Sequence, residues 1–545
     1  MTTRASHRLG FAALAALPLA VLAVFFVLPV AGMMARGFWA DGVFDPGAVL
    51  DVLARRRVHR VLWFTIWSAS LATAVTLVLG VPVSYVLYRL DFPGRQVLRA
   101  MVAVPFVLPT VVVGVAFRTL LAESGPLGSL GLDGTATAII AALVFFNISV
   151  VVRTVGGLWE GLDRRPEEAA AALGATPVQV FRTVTLPALR PAILSAASVV
   201  FLFCSTAFGV VLTLGGLRYA TVETEIYLLT TQFLDLRAAA ALSVLQLVVV
   251  SVLLFVTSRN RGVGRARQAG NARRPRRRDL PLVAVMLVVL GFLATPIVTL
   301  IVRSLSVDGG WSIANYRNLG SVTEDSALLV PVSEALLNSL RVAVDATLIS
   351  VGLGLVVSVI VSRVPRGSGE RRALGVLDGL FMLPLGVSAV TVGFGFLITL
   401  DRPPLDLRSS AILVPIAQAM VALPLVVRTI APVLRSIDDR QRQAAASLGA
   451  GPLRVLASVD APLVWRPLLA GTGLAFAVSL GEFGATSFLS RPDAPTLPVV
   501  IFHLIGRPGA ENFGMALAAS VVLAAVTVLV MGVVERLRVG SMGAF

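Results

Sequence analysis

The sequence predicts an all-α polytopic membrane protein of about 12 transmembrane helices, built as two parallel six-helix repeats. Three observations lead there. Of 545 residues, 57% are hydrophobic and only 14% are charged, with a mean hydropathy of +0.88. So apolar a chain cannot hide its side chains inside water-soluble domains, and the bilayer must be its solvent. Apolar runs of membrane-spanning length recur from one end of the chain to the other. Finally, the chain aligns with itself: VVRTVGGLWEGLDRRPEEAAAALGATPVQVFRTVTLP (Val151 to Pro187) returns as VVRTIAPVLRSIDDRQRQAAASLGAGPLRVLASVDAP (Val426 to Pro462), without a gap, at an offset of 275 (428 − 153 for Arg428 and Arg153).

Six spans are expected in the first half, over residues 10–35, 61–88, 98–120, 135–156, 190–213 and 238–257. The first opens with Arg4 and Arg8 like a secretory signal. It is long, however, lacks a small-residue cleavage site and has a counterpart opening the second half, so it reads as a retained helix. Six more follow, over 281–304, 336–362, 374–400, 410–431, 467–489 and 512–534. The repeat extends through them: Leu108-Pro109 matches Leu383-Pro384, Phe208-Gly209 matches Phe483-Gly484, Thr221 matches Thr496, and Ile226-Tyr227 matches Ile501-Phe502. An even number of spans per half sets both halves the same way up, about an axis along the membrane normal. The expected organisation is a first half over 1–257 with an insert at about 158–190, a linker over 258–280, and a second half over 281–545 with its insert at about 433–466.

All basic residues are arginine, and the formal charge is +16. They lie in short loops, where they set orientation rather than bind nucleic acid. Arg89, Arg95, Arg99, Arg164, Arg165, Arg182 and the nine arginines of SRNRGVGRARQAGNARRPRRRD (Ser258 to Asp279) share one side. Both termini are therefore expected in the cytoplasm, against the pattern set by Arg55, Arg56, Arg57 and Arg60. Trp39, Trp63, Trp67 and Trp311 fall near the outer ends of spans, and Trp159 and Trp465 near the inner ends, as in an aromatic belt. A chain without lysine cannot form an ordinary Walker A loop. Cys204 is the single cysteine, and His7, His59 and His503 are scattered, so neither a catalytic residue nor a metal site is expected.

The duplicated insert has its own local physics. Asp163 caps a short helix whose first turn holds Pro166, Glu167 and Glu168, residues favoured at a positive helix start. Ala169 and Ala170 continue it and Gly174 stops it; Thr176 caps a second helix starting at Pro177, which Leu186-Pro187 ends. In the second copy Asp438 caps, Gln443, Ala444 and Ala445 continue, Gly449 stops, Gly451 replaces Thr176 and Pro452 restarts. Small residues, Ala175 and Ala450 among them, leave a smooth helix and turn that another protein can approach. A plain connector would have no reason to be kept twice in register.

Glu168-Ala169-Ala170 followed by Gly174 resembles EAAxxxG, the EAA signature of the permease subunits of binding-protein-dependent ABC importers. The continuation GATPVQVFRTVTLP is similar too, and the second copy departs by having Gln443 for the acid. Size, six spans per half, FGVVLTLGGLRYATVETEIY from Phe208 and SLGEFGATSFLSRPDAPTLPVVIF from Ser479 resemble the fused two-half permeases of ferric-iron and thiamine importers. The resemblance implies a type I ABC importer permease fold in the bacterial cell (inner) membrane. It further implies two copies of a cytoplasmic ABC ATPase that carry the ATP, each holding one insert. An extracytoplasmic solute-binding protein would sit on the other face, and no cofactor would be bound by this chain. Iron and thiamine stay open as substrates.

Glu482 lies within the eleventh span, where a charge needs a partner or a wet cavity, and its counterpart is Ala207. Pro109 and Pro384 sit at matching places in the third and ninth spans and are expected to bend helices along the pathway. The rival reading is a two-times-six secondary transporter driven by an ion gradient, which YRLDFPGRQ after the second span faintly resembles. Such carriers have no large insert after the fourth span of each half.

Overall fold

A computed structural model describes residues 15–40, 43–216, 218–259, 272–320, 328, 330–363, 367–401 and 405–539. The Arg4 and Arg8 region, His7 and most of the arginine-rich linker lie outside the described residues.

The first half begins with α1 (Ala15–Phe38), then α2 (Arg56–Arg89), α3 (Arg95–Val107), α4 (Thr110–Leu121) and α5 (Ala136–Glu160). After it come a short α6 (Arg165–Ala172), the span α7 (Pro177–Ser205), two short helices α8 (Gly209–Gly215) and α9 (Val222–Thr231), and the span α10 (Leu236–Arg259). The second half repeats this order: α11 (Leu280–Ser304), α12 (Val332–Val361), α13 (Ser368–Met382), α14 (Ala389–Thr399), α15 (Leu413–Ser436) and the short α16 (Asp439–Ser447). It ends with α17 (Leu456–Leu480), the short α18 (Thr486–Leu489) and α19 (Leu497–Gly506), and α20 (Ala510–Val539). A two-strand antiparallel hairpin follows the first helix of each half, β1 (Trp39–Ala40) with β2 (Val43–Phe44), and β3 (Ser306–Val307) with β4 (Gly310–Trp311). The repeat is thus structural even where the sequences no longer align.

Among the described residues ten helices are long and apolar enough to cross a membrane, or eleven if the bent pair α3 and α4 counts as one span. Two of the about twelve expected spans are broken at the prolines expected to bend them. The third span breaks at Leu108-Pro109 with a bend of 100°, because proline has no N–H to continue the ladder and its ring crowds the preceding turn. The ninth breaks at Leu383–Gly386, leaving α13 and α14 each short of a full crossing. The fifth and eleventh stop at Ser205 and Leu480, earlier than expected, and the chain turns into α8 and α18.

The halves interlock. Leu22 and Phe26 of α1 lie in the core of the second half, among Val392, Phe396 and Met420. Met286, Val289 and Leu293 of α11 lie in the core of the first, among Phe117, Phe145 and Leu143. Ring contacts mark both exchanges: Phe25 to Phe396 at 5.9 Å, and Phe292 to Phe117 and Phe145 at 6.3 and 6.2 Å. Each half therefore lends its first helix to the other.

Two of the four arginines that break the charge pattern have acidic partners at the end of the bundle opposite the inserts. Arg57 holds the buried Glu225 of α9 with two hydrogen bonds, and Arg55 reaches Asp235 at 2.8 Å. They pin α9 and the turn after it to the start of α2. Burial works against the Asp235 charge, but the hydrogen bonds from Arg55 and the Ala238 N–H, together with the charges of Arg55 and Arg237, outweigh it, so the carboxyl lies below its usual pKa.

Candidate functional site

The two inserts fold alike. Asp163 and Asp438 each accept a hydrogen bond at 3.0 Å from the N–H two residues on, Arg165 and Arg440, opening α6 and α16. Both helices end in a Schellman motif: Ala175 N–H to Ala170 O at 3.1 Å and Gly174 N–H to Ala171 O at 3.0 Å, repeated by Ala450 to Ala445 and Gly449 to Ala446 at the same distances. Gly174 and Gly449 take φ of +88° and +85°, the left-handed conformation the motif requires. Thr176 then forms a capping box with Gln179 over Pro177–Val180. Gly451 has no such hydroxyl, and the second copy restarts at Pro452 without it.

One expectation is corrected here. Leu186-Pro187 does not end the second helix. A π-helical turn, Phe181–Thr185, widens the ladder ahead of Pro187 and carries the chain straight into its span, as Leu456–Asp460 does ahead of Pro462. The second helix of the insert is thereby continuous with the span α7, and its twin with α17.

Exposure runs in the same order along both copies, from Pro166 to Ala175 and from Gln441 to Ala450. Glu168, Ala169 and Gln443, Ala444 face outward, whereas Ala170, Ala175 and their copies Ala445, Ala450 are half-buried. The most exposed large apolar side chains described are Leu173 and Leu448, at 89% and 88%. Sequence reasoning passed over both, although identical leucines at the 275 offset, each before the helix-ending glycine, carried the signal. The same exposed leucine thus stands on a polar rim in both copies.

The braces beneath the inserts are inverted in sign. In the first, Glu167 accepts from Arg89 at 2.7 Å and from Thr185 at 2.8 Å, while buried Arg89 also donates to Leu162 O at 3.0 Å. At the matching position the second has Arg442, which donates to Asp460 at 2.8 Å, Asp439 at 2.9 Å and Leu434 O at 3.1 Å. Burial opposes the Arg442 charge, yet Asp460 and Asp439 more than compensate and raise its pKa. A second pair inverts likewise: Glu160 with Arg99 at 3.0 Å, and Arg435 with Asp378 at 3.2 Å. Trp159, placed in an aromatic belt by its sequence position, is buried at the insert root against Tyr85, 5.3 Å between rings. Arg164 donates to Arg89 O at 2.9 Å; burial, then the nearby Arg89 and Arg273, lower its pKa.

Between the halves, four rings meet. Phe208 stacks on Phe483 at 5.3 Å, Tyr227 lies 5.4 Å from Phe208, Phe502 lies 5.2 Å from Phe483, and Tyr227 faces Phe502 at 6.3 Å. Phe208 and Phe483 are copies of each other, as are Tyr227 and Phe502. A residue and its repeat touch only near the axis that relates the halves, so this cluster marks the centre of the assembly. Glu482, next to Phe483, is buried and accepts from Ala485 N–H at 2.8 Å and from Thr486 N–H and hydroxyl at 3.1 and 2.6 Å, capping α18. Pro109 lies at the α3–α4 break beside Gly481 of the second half, and Pro384 lies in the break between α13 and α14.

Helical halves meeting at a central aromatic cluster, with matched inserts at one end, define a membrane-embedded importer permease. Two stretches, residues 76–263 and 351–538, match the family described as binding-protein-dependent transport system inner membrane component, and the chain belongs to that family. Their starts and ends are both 275 apart (351 − 76 and 538 − 263), the offset of the repeat. The chain is similar over the full length of both proteins, at 26% identity, to a thiamine transport system permease protein of Brucella abortus (strain 2308). It is also similar, at 27% identity over 88% of each chain, to the protein of that name in Escherichia coli (strain K12). A probable ABC transporter permease of Sinorhizobium fredii is 26% identical over 96% of this chain and 95% of its own. A solved bacterial ABC transporter that imports alginate overlaps 45% of this chain and 93% of its own at 17% identity, with a TM-score of 0.39, too loosely to add to the fold.

Proposed function

We propose that this permease imports thiamine, with each insert seated in a cleft of one cytoplasmic ATPase subunit. One chain then works with two ATPase copies, which bind and hydrolyse the ATP, and with a solute-binding protein on the opposite face. Both termini lie in the cytoplasm, and residues 1–257 and 281–545 form the two functional halves about the 258–280 linker. The observation that carries this reading is the pair of braced, Schellman-ended inserts with Leu173 and Leu448 exposed at their tips. The contact would be made by Glu168, Ala169, Gly174 and Pro177 and by Gln443, Ala444, Gly449 and Pro452, with Ala170, Ala175, Ala445 and Ala450 shaping the helix beneath. The full-length likeness to thiamine permeases supports thiamine over ferric iron.

Closure of the ATPase pair would draw the inserts together, and the stiff continuity of insert and span would move α7 and α17. Pro109, Pro384 and Glu482 would act by holding the breaks against which these spans shift. The test is purification with co-expressed ATPase and binding protein, followed by uptake into proteoliposomes. A 1:2 ratio of this chain to ATPase and ATP-dependent thiamine uptake are expected. Uptake driven by an ion gradient without the ATPase would overturn the reading.

A further inference from the structure

Three glutamates are buried among the described residues, and two of them serve their own half: Glu225 binds Arg57, and Glu482 caps α18. The third, Glu223 of α9, is fully shielded, and its hydrogen bonds cross between the halves. Ser388 of the second half donates its hydroxyl to one carboxyl oxygen at 2.6 Å, and the Gln246 amide of α10 donates to the other. Both donors are neutral. Ser388 is itself held in place, because it opens α14 just after the Leu383–Gly386 break and accepts from the Thr391 N–H at 3.0 Å.

Glu223 lies one helical turn before Tyr227, on the same face of α9, and Tyr227 is one of the four rings that meet between the halves. Tyr227 also meets Phe488 of the second half at 5.4 Å. Helix α9 thus touches the opposite half through a carboxyl and a ring side by side. For a solute to pass the ring cluster, the halves must part there. Rings separate with little directional penalty, but a buried carboxyl that loses Ser388 is left with an unpaired oxygen in the membrane interior, which costs far more. The repeat has a second seam, where α19 packs on α4 as α9 packs on α14. At the matching positions stand Pro498 (223 + 275) and Val113 (388 − 275), both buried and neither able to form such a bond. The bond is made on one seam and not on its twin.

We propose that Glu223 is a positioning residue of the transport cycle: bonded to Ser388, it fastens the halves while the ring cluster is closed and sets the cost of parting them, on one seam. The inference rests on the importer reading above and holds whichever solute is carried.

Two measurements on the transporter assembled with its ATPase test it. In the first, ATP hydrolysis is followed without and with the binding protein. Loss of one hydrogen bond to a carboxylate should raise the parted population about tenfold. E223Q should therefore hydrolyse ATP severalfold faster than the wild type without binding protein, and its stimulation ratio should fall. S388G removes the hydroxyl at little cost to the helix cap and should act like E223Q, whereas S388T keeps both hydroxyl and cap and should resemble the wild type. An unaltered ratio in E223Q and S388G overturns the proposal, and so does a fall in both rates with the ratio kept, the mark of a merely structural role. In the second, cysteines replacing exposed Gln232, after α9, and Arg408, after α14, carry spin labels, the native Cys204 being buried. A longer-distance population should appear in E223Q and S388G but not in S388T; identical distributions overturn the proposal. If the wild type takes up no thiamine while both readouts move as expected, the thiamine reading fails and the fastening stands. Should E223Q not assemble, S388G against S388T decides.

Discussion

At the residue scale, Gly174 and Gly449 are the sharpest probes. A side chain added at either would meet open space, so the penalty of Gly174→Val is conformational: a β-branched residue at φ near +88°. The expected result is normal membrane insertion with ATPase co-purification reduced severalfold, and the same for Gly449→Val. Full retention of the ATPase by both variants would reduce the inserts to connectors. Glu168→Gln should be milder, because Gln443 already stands at that place in the second copy. Glu482→Gln probes a different role. Its carboxylate takes three hydrogen bonds that open α18, and an amide, with one acceptor fewer, should cost about 1 to 2 kcal/mol. Lower thermal stability with near-normal transport per folded molecule is expected, whereas a change in substrate preference at full stability would contradict capping. The caps, glycine stops and restarting prolines Pro177 and Pro452 of the inserts were legible because they depend on neighbours in sequence, whereas the passage of the helix through Leu186-Pro187 was not. The exposure of Leu173 was not, since it depends on what fails to cover it.

At the element scale, each insert is a lever whose stiffness lies in its root. The brace of the first ties α6 to α2 through Arg89 and Glu167, while the brace of the second closes within its own segment through Arg442 and Asp460. Glu167→Gln should therefore loosen the first insert against its span by roughly 2 kcal/mol, the worth of a hydrogen bond to a charged group. Faster hydrogen exchange over 163–180, with 438–455 unchanged, would show it; equal acceleration of both would not fit separate braces. At the opposite end, the lowered pKa of Asp235 means that its pairing with Arg55 contributes stability above the ordinary carboxyl pKa of about 3.9 and loses it as pH falls through the lower folded value. Thermal unfolding of the wild type minus that of Asp235→Asn should be flat from pH 5 to 8 and shrink toward pH 3. The span count was legible from hydropathy and the sites of bending from Pro109 and Pro384, but the size of the 100° break was not, because hydropathy averages across a bend. The inverted charges could not be read from one sequence, where opposite residues at matched positions look like mere divergence.

At the scale of the whole molecule, the repeat was visible in the sequence, and the exchange of α1 and α11 between halves was not. Hydropathy places a helix in the membrane without saying which neighbour it packs on. Because Leu22 and Phe26 are core residues of the second half, residues 1–257 made alone would leave their first helix without its pocket. The two halves expressed together as separate chains, divided within 260–271, should assemble into an active transporter; either half alone should be degraded or aggregate. A stable, monodisperse single half would contradict the interlock. The same exchange sets an order of events during synthesis. Phe25 must await Phe396, 371 residues later (396 − 25), which at about 5 to 20 residues per second is roughly 20 to 75 s on the ribosome. For that interval α1 has α10 of its own half to lie against along Met33 and Gly37, while its Leu22 to Phe26 stretch still lacks the second-half core, so part of an early segment is among the last to be packed.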